Sequence, residues 1–204
     1  MQYLPQPQYF AELLQDDTLE IDGFENFVKQ SYRNRCRILT ANGIDSLTVP
    51  VSGVGKKILA KDIKIDHSQK WLTRHCRAIQ SAYGKAPFYE YYADDLFTII
   101  KKQHKFLFDL SNDLLTQCLE FLQLSVALNF TTGYSDFKNM PENDLRSKIN
   151  PKKNPNDINT YNQVAYQQVF GNDFVDNLSV IDLVFCQGPQ AGAIIESGIV
   201  KKRQ

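Results

Sequence analysis

Apolar and polar residues alternate through much of the first 66 positions, which is the spacing of β-strands. The alternation predicts a short strand in TLEI, at residues 18–21. It also predicts a hairpin in which RNRCRILT and IDSLTVPVS flank the turn signal ANG at residues 41–43. A further strand is predicted in AKDIKID, at residues 60–66. The first third of the chain therefore supplies most of the strands.

From about residue 68 the apolar residues recur at spacings of three and four, which is the period of a helix. Trp71, His75 and Ile79 lie on one stripe of a helix that Gly84 can end. Helices are also predicted in FYEYYADDLFTIIKK, in HKFLFDLSNDLLTQCLEFLQL and in NLSVIDLVFCQ, while SVALNFT reads as one more strand. Residues 133–160, rich in Asn, Asp, Lys and Pro, are predicted to form an exposed loop or lid.

The order of these elements predicts the fold class. We expect residues 1–204 to form a single α/β (or α+β) domain, with a mixed sheet built from the N-terminal strands and the hairpin. Helices from the middle and C-terminal parts of the chain should cover that sheet.

Charge and cysteine content exclude several classes of protein. The 23 basic and 23 acidic residues cancel, so overall charge does not predict nucleic-acid binding and any basic site must be local. No apolar run approaches the roughly 20 residues that a membrane helix needs, and the first residues do not resemble a secretion signal. The four cysteines form no C-x-x-C pair. We therefore predict a cytoplasmic protein with reduced thiols, no metal site, no cofactor and no membrane insertion.

A cluster of arginines precedes and enters the predicted hairpin. Arg33 and Arg35 would share one face of a strand, where two guanidinium groups can hold a phosphate or carboxylate. Arg37 would then belong to the surface. The alternative is a solvated or ion-paired strand edge.

Two further polar residues lie in apolar surroundings. His75 could act as a general base, or it could be a hydrogen-bonded histidine of the core. Asp182 is the only acid in LSVIDLVF, and a buried carboxylate needs a cation, donors or water. It could therefore pair structurally or orient a functional group.

Several stretches together resemble the WbqC-like protein family, and they follow one another in the order that the family shows. They are ENFVKQSYRNRCRI, ANGIDSLTVPV, WLTRHCRAIQSAYGKAPFYEYYADD and NLSVIDLVFCQGPQA, so the resemblance covers nearly the whole chain except residues 133–160. It implies a bacterial cytosolic protein, often encoded among genes for O-antigen or other surface polysaccharides. It also implies an acyl or aminoacyl transferase, because a glycine-transferase role has been suggested for some members.

The resemblance also implies which residues form a site. His75 and Asp182 would be catalytic, and the others would bind a small-molecule substrate such as a nucleotide sugar. These substrate-binding residues are Gln6, Tyr9, Arg33, Asn34, Arg35, Trp71, Asn177 and Gly188.

Two departures from the family pattern bear on the reaction. Leu4 and Pro5 stand where many members have a histidine before Gln-Pro, and the middle segment of longer members is missing. The sequence therefore keeps three hypotheses. The first is transfer to an amino sugar of a nucleotide-sugar precursor, and the second is a non-catalytic protein that binds a sugar nucleotide or a partner enzyme. The third is a structural network of Arg33, Arg35 and Asp182. A homo-oligomer or a partner in polysaccharide assembly stays open.

Overall fold

The structure is a computed structural model that describes residues 1–15, 18–53, 57–134, 144–146, 148–151 and 160–200. Within these ranges it contains six α-helices and four strands. The elements in chain order are α1 (Pro7–Leu13), β1 (Thr18–Ile21), β2 (Arg35–Thr40), β3 (Gly43–Thr48), α2 (Trp71–Tyr83), α3 (Tyr89–Lys101), α4 (Leu107–Phe121), β4 (Ala127–Phe130), α5 (Val180–Gln187) and α6 (Ala191–Ser197).

The strands form two pairs among the described residues. β1 pairs in parallel with β4, from Thr18 opposite Ala127 to Ile21 opposite Phe130. β2 and β3 form the predicted antiparallel hairpin, closed by a turn at Thr40 and Gly43. Parallel and antiparallel strands thus occur together with covering helices in one domain, which confirms the α/β class predicted from the sequence.

The helices bury the apolar faces that their sequence period predicts. On α2 the buried residues include Trp71, His75 and Ile79, while the opposite side of the helix is exposed. α5 is buried at every position from Val180 to Cys186, which explains why its sequence is apolar on all sides. It packs against α3, α4 and α6 at the centre of the core.

Three local predictions differ from the structure. Residues 60–66 form a short 3-10 helix and isolated bridges rather than a strand, since Lys64 pairs only with Phe106 and Ile65 only with Val51. The helix predicted in NLSVIDLVFCQ begins later than its first residue, since α5 starts at Val180 with Ser179 as its N-cap. The sequence pattern also did not predict α6, where the absence of a side chain on Gly192 lets the helix approach the Leu122 carbonyl.

Much of the predicted loop or lid at residues 133–160 lies outside the described residues. In its described part, residues 144–146 and 148–150 are half-buried and lie against α1 and the chain that follows β1. This contact brings charged side chains from distant parts of the sequence to one pocket.

Candidate functional site

A pocket lies between α1, β1, residues 22–33 and residues 145, 146, 148 and 149. Its cavity volume is about 70 Å³, and it is partly open to solvent. Its apolar wall includes Leu13, Leu19 and Ile21, contributed by the buried face of α1 and by β1. The rest of the lining is strongly polar. A cavity of this volume admits a few water molecules or one small group of a ligand.

Arg33 forms the floor of the pocket together with Glu25. Both side chains are only 10% exposed. The Nε atom of Arg33 donates to Oε1 of Glu25 at 3.1 Å, and its Nη2 atom donates to Oε2. Nη2 also donates to the backbone carbonyl of Arg146 at 3.0 Å. The guanidinium is therefore held in a two-pronged pair, which is the strong geometry for this kind of contact.

Residues 144–146 and 148–149 cover one side of the pocket through further ion pairs. Arg146 donates to Asp22 at 2.7 Å and to Asp144 at 2.6 and 2.8 Å. These bonds raise the pKa of Arg146, and they lower the pKa of Asp144. Lys148 donates to Glu12 at 2.9 Å. The buried acids Glu12, Asp22 and Glu25 thus each have a cationic partner, as buried carboxylates require.

Some polar groups in the pocket have unmet hydrogen-bonding capacity. Gln2 is 8% exposed. Its Nε2 atom donates to the carbonyl of Ile149, and this bond assigns the positions of the nitrogen and of Oε1 in the side-chain amide. That Oε1 atom is buried and has no hydrogen-bond partner among the described residues. The exposed carboxylate of Glu20 and the hydroxyl of Tyr9 also have no hydrogen-bond partner within the described ranges.

The side chains of the lining carry an excess of negative charge. Four carboxylates (Glu12, Glu20, Asp22 and Glu25) face three cations (Arg33, Arg146 and Lys148). The amino group of Met1 also lies here, and burial lowers its pKa, which disfavours its charged form, while the attraction of Glu25 opposes that effect. The pocket is therefore better suited to a cationic or polyhydroxylated ligand than to an isolated anion.

Four residues predicted from the sequence lie in the pocket wall or directly behind it. Tyr9 and Arg33 line the pocket. Gln6 lies behind the wall, where its Nε2 atom donates to Oδ1 of Asn177 at 3.1 Å. The Nδ2 atom of Asn177 in turn donates to the hydroxyl of the lining residue Tyr32 at 3.2 Å. Gln6 and Asn177 therefore position Tyr32.

Asn34 and Arg35 have other surroundings. Nδ2 of Asn34 donates to the Val49 carbonyl at 2.9 Å and ties the start of the hairpin to its end. Because β2 begins at Arg35, Arg33 precedes the strand, and the two arginines do not form the shared strand face that alternation predicted. Arg35 is absent from the lining, and its Nε atom is buried with no hydrogen-bond partner among the described residues.

His75 lies in a separate buried cluster. Its Nε2 atom is 3.2 Å from the Thr48 carbonyl, so Nε2 carries the proton and Nδ1 accepts from the Tyr3 hydroxyl at 2.9 Å. The Trp71 ring packs edge-on, with its centroid 5.1 Å away. Burial lowers the pKa of His75 to about 4. Both ring nitrogens are thus occupied in a neutral imidazole.

Asp182 lies in a third place, on the fully buried helix α5. Its Oδ2 atom accepts from the Tyr166 hydroxyl at 2.7 Å and from Nε2 of Gln168 at 3.0 Å. Burial raises the pKa of Asp182, and the donors around it oppose that rise. Within the described part of the chain, no hydrogen bond joins Asp182 to His75 or to an arginine.

Gly188 ends α5 in a conformation that suits glycine. Its φ angle is +54°, and a Cβ atom at this position would lie 2.4 Å from the ring of Phe88. The close packing of that ring explains the glycine without a ligand.

Sequence reasoning missed most of the charged groups in the pocket. Glu12 offered a signal, because it is an acid within the otherwise apolar helix PQYFAEL, as Asp182 is in α5. Asp22, Glu25, Arg146 and Lys148 offered none, since their partners are distant in sequence or belong to polar stretches.

Within the ranges that the structure describes, no group of three or more His, Cys, Asp or Glu side chains is arranged to hold a metal ion. In the same ranges, no helix has both the length and the apolar character needed to cross a membrane.

The fold and the pocket together define a small α/β domain with a charged cleft. Comparison with models of protein families identifies the family of the chain. The chain belongs to the WbqC-like protein family, whose model matches residues 1–153 and 152–194.

A relative has been found in Mycobacterium tuberculosis (strain ATCC 25618 / H37Rv), the uncharacterized protein Rv1507c. It is 32% identical over 136 residues, which is 65% of this chain and 58% of the relative. The alignment thus spans less than two thirds of the relative's own length. No solved structure matches the chain.

Proposed function

We propose that the pocket binds the amino sugar of a nucleotide-activated precursor in bacterial surface-polysaccharide synthesis of the O-antigen type. The observation that carries this proposal is the set of four carboxylates that face three cationic side chains in the lining, which leaves the exposed carboxylate of Glu20 without an ion-pair partner among the described residues. Membership of the WbqC-like family supports the polysaccharide context. A cytoplasmic location is part of the same proposal, because sugar nucleotides are cytoplasmic metabolites.

An ammonium group of the ligand would balance the unpaired negative charge of the pocket lining. The carboxylate of Glu20 would balance the positive charge, and the rings of Tyr9 and Tyr32 offer apolar surface for the carbon face of a sugar. Arg33 serves here as the partner that fixes Glu25, rather than as a grip for an anion.

Binding without catalysis is the function that the geometry supports best. A general base at His75 would need a free ring nitrogen and a pKa closer to neutrality. Both nitrogens are engaged, and burial lowers the pKa of His75 to about 4. We assign His75 and Asp182 to the stability of the domain.

Acyl or aminoacyl transfer to the bound amine is the second candidate. It would need a base to take a proton from the ammonium, and Glu20 is the carboxylate of the lining that has no ion-pair partner among the described residues. The neutral amine would then form a bond to the carbonyl carbon of an activated acyl donor, whose leaving group would depart.

Calorimetric titration with glucosamine and glucose tests the binding proposal. The two sugars differ in one group, an ammonium in place of a hydroxyl, so glucosamine should bind at least about tenfold more tightly. Glu20→Gln should reduce this preference, because Glu20 is exposed and its loss leaves the fold intact. Glu90→Gln, on the exposed side of α3, is the matched control. Equal binding of the two sugars would overturn the proposal.

Mass spectrometry separates the two candidates. The protein is incubated with glucosamine-bearing nucleotide sugar and activated glycine, supplied as glycyl-tRNA or as a glycyl thioester. A product heavier by one glycyl group that depends on the protein supports transfer. Binding of the sugar without any product leaves the non-catalytic function for these donors.

A further inference from the structure

A tyrosine lies exposed at the edge of the charged pocket. Tyr134 is 61% exposed, and its ring centroid is 5.1 Å from Cζ of Arg146, a residue that lines the pocket. We propose that Tyr134 is the stacking surface for the nucleobase of the sugar nucleotide. This inference rests on the proposed function, because it extends the same ligand from the pocket onto the protein surface.

The orientation of the Tyr134 ring is fixed by the group beneath it. The Arg146 guanidinium is held by Asp22 on one side and by Asp144 on the other. One side of the ring packs against this immobilised guanidinium, and the high exposure shows that much of the ring is uncovered. A fixed aromatic ring with an open face is the surface on which nucleobases stack.

A second exposed aromatic residue continues this edge. Phe130, at the end of β4, is 49% exposed and lies opposite Ile21, which lines the pocket. The Thr131 amide donates to the Ile21 carbonyl at 3.1 Å, so the aromatic edge and the pocket wall form one continuous backbone structure. Phe130 also packs edge-on against Phe108, with ring centroids 6.1 Å apart. Contiguous exposed apolar patches mark binding sites, whereas single exposed apolar residues are common.

The two parts of the ligand would make different kinds of contact. The pocket offers charge and hydrogen bonds to the amino sugar, while Tyr134 offers a π-face to the base. The charge of Arg146 is already balanced by two carboxylates, so the diphosphate of the ligand would lie in solvent between the pocket and Tyr134 rather than on a cation of the lining. Because every base has a π-face, stacking alone would accept a pyrimidine or a purine.

Calorimetric titrations with UDP-glucosamine, glucosamine, UDP and GDP test this inference. We expect UDP-glucosamine to bind at least about fivefold more tightly than glucosamine, which is the lower range of base–aromatic stacking. Tyr134→Ala should abolish that gain and leave the affinity for glucosamine unchanged. Tyr134→Phe should keep the gain, since it retains the ring. Tyr91→Ala, at a tyrosine of α3 that is 76% exposed, is the matched control.

The possible results separate this inference from the proposed function. Equal affinity for UDP-glucosamine and glucosamine, or a gain that survives in Tyr134→Ala, overturns the stacking role alone. An equal loss for both ligands in Tyr134→Ala also overturns it, because the tyrosine would then only support Arg146. Tyr134-dependent binding of UDP or GDP without binding of glucosamine supports the stacking role and overturns the amino-sugar proposal. No binding of any probe overturns both.

Discussion

The charged pocket and the buried cluster around His75 both place polar side chains among apolar ones, yet they differ in what they leave unsatisfied. His75 has a partner at each ring nitrogen. In the pocket, the ion pairs of Glu12, Asp22 and Glu25 stand next to the unpartnered Oε1 atom of Gln2 and an excess of carboxylates. Polarity in an apolar setting is therefore a weak sign of function. The cluster also contains a buried donor without a partner among the described residues, Nε1 of Trp71, so the difference between the two regions is the exposed carboxylate of Glu20 in the pocket lining.

The largest expected effect is at the floor of the pocket. Arg33→Met would leave the Glu25 carboxylate buried without a cation and would remove the bond to the Arg146 carbonyl. Breaking a buried pair by removing one partner costs about 3–5 kcal/mol, so we expect the free energy of unfolding in urea to fall by that amount. Glucosamine binding should be lost as well.

A double substitution shows whether the pair or the packing is responsible. Arg33→Met combined with Glu25→Met removes both charges and should recover most of the lost stability. It should not recover glucosamine binding, because the pocket is then altered. If Arg33→Met alone is as stable as the unchanged protein, the Arg33–Glu25 pair contributes little to the stability of the domain.

The next largest effect is the pH dependence of stability that comes from the buried cluster around His75. Burial lowers the pKa of His75 from 6.5 to about 4, so the unfolded chain takes up a proton there at a higher pH than the folded chain does. The stability that depends on neutral His75 is complete above pH 6.5 and is lost as the pH falls toward 4. This loss amounts to about 3 kcal/mol.

Urea denaturation across this pH range measures the effect. His75→Gln keeps a donor and an acceptor but does not titrate, so it should lose about 3 kcal/mol less stability than the unchanged protein between pH 7 and 4. His67→Gln, at an exposed histidine, is the control and should follow the unchanged protein. Parallel curves for His75→Gln and the unchanged protein would contradict the buried, neutral state. Binding of glucosamine at pH 7 should be the same in both.

The same contrast explains what the sequence could predict. The hairpin and helices α2 to α5 follow from apolar periods that a short window contains. Arg33 could be selected from the arginine cluster, which is a local pattern, whereas Tyr9 was implied only by the family resemblance. The pairing of Arg146 with Asp22 could not be predicted, since 124 positions separate the two residues and no local pattern links them. The site depends on such distant contacts.

The smallest expected effect is at Asp182. Asp182→Ala would leave the Tyr166 hydroxyl and Nε2 of Gln168 without their shared acceptor, which should cost about 2 kcal/mol of unfolding free energy. Asp182→Asn keeps an acceptor oxygen and should cost less. Neither variant should change glucosamine affinity, because Asp182 does not line the pocket. A loss of affinity in Asp182→Asn without a loss of stability would instead make Asp182 part of the site. The distinction between the charged pocket and the buried polar residues outside it would then be wrong.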